Sequence, residues 1–133
     1  GQYFTPRTIV DFMTHILDPN ESETVCDPTC GSGGFLIKAF EYMSEKIEED
    51  VKTAKAELRS VIEGDNYDSL SEKEQLAINE RIEAMQSTLN QELDTQTEGS
   101  RMYNLSRNCI YGTDANPRMA RTSKMNMIMQ QIS

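Results

Sequence analysis

Long hydrophobic runs are missing from this 133-residue chain. No stretch of about 18 apolar residues occurs, so no segment reads as a membrane-spanning helix. The amino end, GQYFTPR, lacks the apolar core of a secretory signal. Histidine is almost absent. His15, between Thr14 and Ile16, has no recognisable acid partner and reads as a surface or structural residue. Cysteine is sparse and odd in number: Cys26, Cys30 and Cys109 do not make a disulfide framework and point to a reducing, cytoplasmic setting. Cys26 and Cys30 suggest a metal pair, but no second close pair or histidine accompanies them, so no metal site is expected. There is no internal repeat, and the length suits one domain or part of one. The chain begins at Gly1 without an initiator Met and stops at Ser133 directly after a helical pattern, so it reads as a piece of a longer protein.

Positive charge is also short, with a formal net charge of −9. The deficit is local. Between Ser44 and Ser100 there are 15 acids against 6 Lys or Arg, and the remainder has 7 of each. The global charge therefore argues neither for nor against nucleic-acid binding by the remainder.

Thr5-Pro6 predicts a helix start, Thr as N-cap and Pro at the first helical position. Ile9, Val10, Phe12, Met13, Ile16 and Leu17 follow at helical spacing, and Pro19-Asn20 ends the run. Thr24–Cys26 predicts a short buried strand, 28–33 a loop, and Phe35, Leu36, Ala39, Phe40, Met43 and Ile47 one side of a second helix. In the acidic segment, Val51, Ala54, Leu58 and Ile62 step by three or four, Gly64-Asp65-Asn66 breaks the pattern, and Ser71-Glu72-Lys73-Glu74 is a capping box. Ile78, Ile82, Met85, Leu89 and Leu93 then repeat the spacing. Residues 44–100 thus read as an acidic helical hairpin inserted within the domain, packed on it or offered to another subunit. Asn108–Thr113 predicts a second strand. Asn116-Pro117 opens a last helix with Ala120, Met125, Ile128, Met129 and Ile132 as its apolar side, a Met-rich stripe that reads as adaptable core. Without the hairpin the order is helix, strand, glycine loop, helix, strand, helix: an α/β pattern with a parallel sheet.

The informative stretch is VCDPTCGSGGFL, Val25–Leu36. A glycine loop between strand and helix lets a ligand touch backbone N–H groups, and a helix N-terminus favours a negatively charged ligand group. Dinucleotides, S-adenosylmethionine and plain tight turns all use such runs. In open α/β sheets an acid about 20 residues beyond the glycines accepts hydrogen bonds from a ribose. Asp114 lies 80 residues after Gly34, and 24 once residues 45–100 are set aside. Asp114 therefore reads as a ribose acceptor or as a helix-capping acid at a strand end. Cys30 has no basic partner in the loop and reads as a small packing residue.

GQYFTPR, DPTCGSGGFL and YGTDANPRMARTSKMNMIMQ together resemble the adenine-N6 amino-methyltransferases of DNA, and among them the modification subunits of type I restriction–modification systems. The resemblance spans Gly1–Met43 and Tyr103–Ser133 and leaves the acidic segment unexplained. It implies a partial doubly wound, Rossmann-like fold of the S-adenosylmethionine-dependent kind. It implies that Gln2, Tyr3, Phe4, Thr5 and Pro6 help bind the methionine part of S-adenosylmethionine. Asp27, Pro28, Cys30, Gly31, Ser32, Gly33 and Gly34 match the glycine motif, and Asp114, with Asn116 beside it, the acid at the ribose hydroxyls. The chemistry agrees: this cofactor has no phosphates, and the loop has no phosphate-binding lysine. Its ammonium suits Asp27, and its carboxylate suits Thr5 and backbone N–H groups.

The resemblance further implies methyl transfer to adenine N6 in DNA, with the amino nitrogen displacing the thioether, and partners in DNA and in specificity and restriction subunits. The family's catalytic Asn-Pro-Pro-aromatic tetrapeptide, whose aromatic stacks on a flipped base, does not occur in these 133 residues. Asn116-Pro117-Arg118 is better explained by helix initiation. No catalytic residue is therefore expected here, and the segment alone is expected to be inactive. Methylation of RNA or a protein, or a non-enzymatic subunit-contact role, are the alternatives.

Overall fold

The computed structural model describes residues 4–132. It is mostly helical around a two-stranded parallel sheet. Helix α1 (Arg7–Leu17) leads to strand β1 (Val25–Asp27), the glycine loop and the long helix α2 (Gly34–Glu63). A short turn leads to α3 (Glu72–Asn90), which packs back along α2. The chain returns through a single helical turn, α4 (Arg101–Asn104), and a π-helical turn (Leu105–Cys109) into strand β2 (Ile110–Gly112) and helix α5 (Pro117–Ile132). The strands pair Val25 with Ile110, Cys26 with Tyr111 and Asp27 with Gly112.

Helix α1 starts one residue later than Thr5-Pro6 predicts. Pro6 is itself the cap, extended at ψ 141°, and its carbonyl accepts the amides of Ile9 and Val10 at 3.0 and 3.1 Å. Thr5 makes no capping bond. The other end matches the expectation: Asp18 closes the helix at φ 43°. That positive φ is held from outside, because Tyr42 Oη and Lys46 Nζ both donate to Asp18 Oδ1, at 2.5 and 2.7 Å. The Lys46 bond first, then the Tyr42 bond, holds the Asp18 carboxyl below its usual value.

Only Val10 and Thr14 of α1 are buried. Ile9, Phe12, Met13, Ile16 and Leu17 are exposed, so the apolar stripe the sequence suggests for a core is on the surface. The helix docks on α2 along a narrow line, and Thr14 turns its hydroxyl back to Val10 O at 2.8 Å.

Helix α2 carries the core. Leu36, Phe40, Met43, Ile47 and Val51 recur at helical spacing and are all buried. Ala39, Phe40, Met43 and Ile47 pack with Met102, Leu105 and Cys109, while Val25, Leu93, Ile110 and Met127 flank them. The helix continues through Ser44 without interruption. No Gly or Pro lies between Phe35 and Glu63, and it ends only at Gly64, φ 62°. The first limb of the acidic hairpin is therefore the outer half of the same helix that begins at the glycine loop. Helix α3 starts with the expected capping box: Glu74 N donates to Ser71 Oγ at 3.3 Å and Ser71 N donates to Glu74 Oε2 at 2.9 Å. Ile82 is its buried residue, whereas Met85 is exposed.

Arg101 ties these parts together. Its guanidinium bonds Glu21, before β1, and Asp50 of α2, at 2.9 Å for the latter. Burial pushes the Glu21 carboxyl up, but the Arg101 bond and charge and a backbone bond outweigh it, and the net shift is downward.

Strand β1 is less buried than expected: Cys26 is exposed and its neighbours are half-buried. Among the described residues the sheet has two strands, too few to enclose it. In α5, Met125, Ile128 and Met129 are exposed. The buried position is Ser123, and Met127 is the apolar residue reaching the core. The apolar side chains of α5 are spread round its circumference, so contact goes to small and polar residues that fit the glycine loop. The side chain of Ile132 lies outside the described residues.

Candidate functional site

The glycine loop is held from three directions by backbone-level contacts. Cys30 N donates to Thr113 O and Thr113 N donates to Asp27 O, each at 2.9 Å. Thr113 Oγ1 donates to Pro28 O at 3.0 Å. Within the loop, Thr29 N donates to Asp27 Oδ1 at 3.0 Å, an Asx turn. From α5, Asn126 Nδ2 donates to Ser32 O at 2.8 Å.

The three glycines differ. Gly31 (φ 54°) and Gly34 have no atom within 4 Å of where a Cβ would stand, so both border open space. Gly33 (φ 95°) is approached by the protein itself, since a Cβ there would lie 2.6 Å from Ser123 Oγ. A fourth glycine, Gly112 in β2, also serves packing: its Cβ would meet Leu36 Cδ1 at 2.5 Å and Cys30 Cβ at 3.2 Å. Cys30 is buried at that contact.

The open space is a cavity of about 890 Å³, within the usual range for small-molecule sites. Its floor is Asp27, Thr29–Ser32 and Asp114, one wall is the start of α1 with Phe4 and Thr5, and the other is the first two turns of α2. The structure thus brings Phe4, Thr5, Asp27, Cys30, Gly31, Ser32, Gly34 and Asp114 together, from three segments far apart in sequence. Pro6, Pro28 and Gly33 are adjacent and act on the backbone path. Gln2 and Tyr3 lie outside the described residues.

Asp114 spans two elements. Its Oδ2 accepts the Gly31 amide at 3.0 Å, and its Oδ1 accepts the Asn116 amide at 2.8 Å. Each carboxylate oxygen keeps a further lone pair. Asn116 does what its position before Pro117 suggests: its Oδ1 accepts the Arg118 amide at 3.0 Å, capping α5. It does not line the cavity.

The cavity walls also carry four charged groups given no role above: Arg7, the last residue of GQYFTPR, and Asp11 from α1, and Lys38 and Glu41 from α2. Lys38 Nζ lies 3.1 Å from Asp11 Oδ1 and ties the walls together. Sequence reading passes over these four, along with Ser123, Asn126 and Gly112. The only signal for Lys38 and Glu41 is that they fall one and two helical turns beyond Gly34.

Comparison with known proteins gives one consistent result. A stretch of 64 residues is 39% identical to the EcoEI type I restriction enzyme methylase subunit of Escherichia coli, covering 46% of this chain and 13% of that protein. A stretch of 46 residues is 46% identical to the EcoKI methylase subunit of Escherichia coli K12, covering 35% and 9%. One of 74 residues is 27% identical to the MjaVIII methylase subunit of Methanocaldococcus jannaschii, covering 50% and 13%. The matched part is about a tenth of the length of these relatives. No solved structure matches. The N-6 DNA Methylase family matches residues 1–133, and the chain belongs to that family.

Proposed function

We propose that this chain is the cofactor-binding part of a DNA adenine-N6 methyltransferase, the modification subunit of a type I restriction–modification system. The observation that carries the reading is the convergence of Phe4-Thr5, the glycine loop and Asp114 on one cavity. The names of the relatives, type I methylase subunits, support the same class.

The residues present fit S-adenosylmethionine. The cavity has open space over Gly31 and Gly34, where a ligand reaches backbone without meeting a side chain. Its charged lining, once Lys38 is paired with Asp11, is Asp27, Glu41 and Asp114 against Arg7. That balance suits a ligand with net positive charge and repels a dinucleotide diphosphate. When bound, this cofactor supplies an electrophilic methyl group on a sulfonium. Asp114 is assigned the ribose hydroxyls, using the lone pairs not engaged by Gly31 and Asn116. Asp27 is assigned the ammonium, and Phe4 and Thr5 the methionine end.

We assign residues 1–133 to one domain of a doubly wound methyltransferase fold and 44–100 to an acidic hairpin inserted in it. DNA and the specificity and restriction subunits are the proposed partners of the whole protein, in the cytoplasm. Among the described residues no helix is long and apolar enough to cross a membrane. The 133 residues contain no Asn-Pro-Pro-aromatic tetrapeptide, so the segment alone transfers no methyl group. Calorimetric titration of the full-length polypeptide tests the reading. Saturable binding of S-adenosylmethionine, weakened about tenfold or more by Asp114→Ala, with none for NAD, is expected. Binding of NAD instead, or of neither, refutes it.

A further inference from the structure

Helix α5 holds three cations with no charge partner among the described residues. Outside residues 44–100 there are 7 Lys or Arg. Lys38 pairs with Asp11, and Arg101 with Glu21 and Asp50. Arg107 lies over the Tyr103 ring at 4.9 Å, and Arg7 lines the cavity over the glycine loop. The other three, Arg118, Arg121 and Lys124, are exposed and make no ion pair among the described residues. All three lie in the first half of α5, and no acid occurs anywhere in Pro117–Ile132. A cation in the first turn opposes the helix dipole, and one in the last turn favours it. Arg118 is in the first turn, and the last turn has no cation, so the placement does not serve the helix's own stability. Positions three apart are neighbours on a helix surface, and the three side chains make one row about 9 Å long. Arg121 and Lys124 also line a second cavity, of about 540 Å³, whose lining contains no carboxylate.

We propose that this row is a docking surface for the phosphate backbone of duplex DNA. The proposal rests on the reading of the chain as part of a DNA methyltransferase. A polyanion suits unpaired cations in a row, because each phosphate neutralised releases condensed counterions. Two of the three are arginines, whose planar fork matches phosphate geometry. The row is also fixed relative to the glycine-loop cavity. Asp114, on the cavity floor, accepts the Asn116 amide at 2.8 Å, and Asn116 caps α5 by accepting the Arg118 amide at 3.0 Å. Further along α5, Asn126 Nδ2 donates to Ser32 O at 2.8 Å. A DNA strand lying on the row is thereby held in a set position with respect to the cavity. The acidic hairpin, with 15 acids against 6 bases, repels DNA and steers it towards α5. Contacts of this kind position a duplex and carry no sequence information themselves.

The test is binding of the full-length polypeptide to a short DNA duplex of arbitrary sequence, read by fluorescence anisotropy across a salt series. Arg118→Gln, Arg121→Gln and Lys124→Gln together are expected to weaken binding about a hundredfold at about 0.1 M salt, and to flatten the slope of log affinity against log salt by about 2–3. Each single change should flatten the slope by about 1 and weaken all sequences alike; if the triple variant does not fold, these slopes decide. A charge-matched control is Lys52→Gln, Lys73→Gln and Arg81→Gln together, all exposed on the hairpin. It should stay within about threefold of wild type, because screening confines each charge to its own neighbourhood. Wild-type affinity and slope in the α5 variants overturn the proposal. Equal weakening by the hairpin control also overturns it, because net charge alone then explains the loss. An α5 variant that keeps its DNA affinity but loses binding to polyglutamate assigns the row to an acidic polypeptide and overturns it too. A wild-type protein that binds S-adenosylmethionine but no duplex overturns the proposal and leaves the cofactor site standing; one that binds neither removes the reading on which it rests.

Discussion

Replacing Gly33 by alanine places a methyl group 2.6 Å from Ser123 Oγ and 3.4 Å from Ser123 Cβ, on a backbone at φ 95°. Two costs add. A non-glycine residue at positive φ costs about 1–2 kcal/mol. Forcing a methyl group into an occupied contact costs about 1–3 kcal/mol more, because Ser123 is buried and must shift to make room. The sum, about 2–5 kcal/mol, falls on the junction of the glycine loop and α5. Hydrogen exchange on the full-length polypeptide reads it locally. Amides of residues 30–36 and 117–127 in Gly33→Ala should exchange about thirtyfold to a few thousandfold faster than in wild type. Adding Ser123→Ala removes the oxygen at 2.6 Å but not the φ strain, so the double variant should recover the contact part and retain about 1–2 kcal/mol. Exchange in Gly33→Ala within about threefold of wild type refutes the reasoning, as does a double variant no better than the single one.

Arg101→Ala removes both the Glu21 and Asp50 links and should destabilise by about 1–3 kcal/mol near neutral pH, read as a lower thermal midpoint. The Glu21 carboxyl is held below its ordinary value in the folded protein. Its contribution is therefore complete above the ordinary glutamate range and is lost as pH falls through the lowered value. Acidification through that window should destabilise wild type more steeply than Arg101→Ala; parallel curves refute the account. Ser71→Ala breaks the capping box of α3 and should cost about 1 kcal/mol, seen as faster amide exchange confined to the first turn of α3.

The candidate site was more legible than the packing around it. Asp27, Gly31, Gly34 and Asp114 carry recognisable backbone chemistry, and the structure places them on one cavity. Asn116-Pro117 and Ser71–Glu74 cap their helices as their types require. What was not legible depends on tertiary fit. The change in charge at Ser44 suggests a boundary, whereas α2 has no breaker there and runs on to Glu63. Charge reports solvent exposure; continuity is decided by Gly and Pro. The apolar periodicity of α1 and α5 suggests buried faces, yet Phe12, Ile16, Leu17, Met125 and Met129 are exposed. In α5 the contacts belong to Ser123 and Asn126, small or polar residues that a hydrophobic pattern discounts. Their importance follows from the closeness of Gly33 and Ser32, which no periodicity encodes.

The uninterrupted path of α2 from Gly34 to Glu63 constrains how this region can change length over evolutionary time. A residue added or lost in its outer half rotates everything beyond it by about 100° and shifts it by about 1.5 Å. The facing limb, α3, would then meet the wrong side of α2. Compatible changes come in matched blocks of about seven residues on both limbs, which return the packing face to within about 20°. Relatives sharing this architecture should therefore differ here in paired steps, with their tips and sequences free to diverge while the helical phase at the glycine loop is kept.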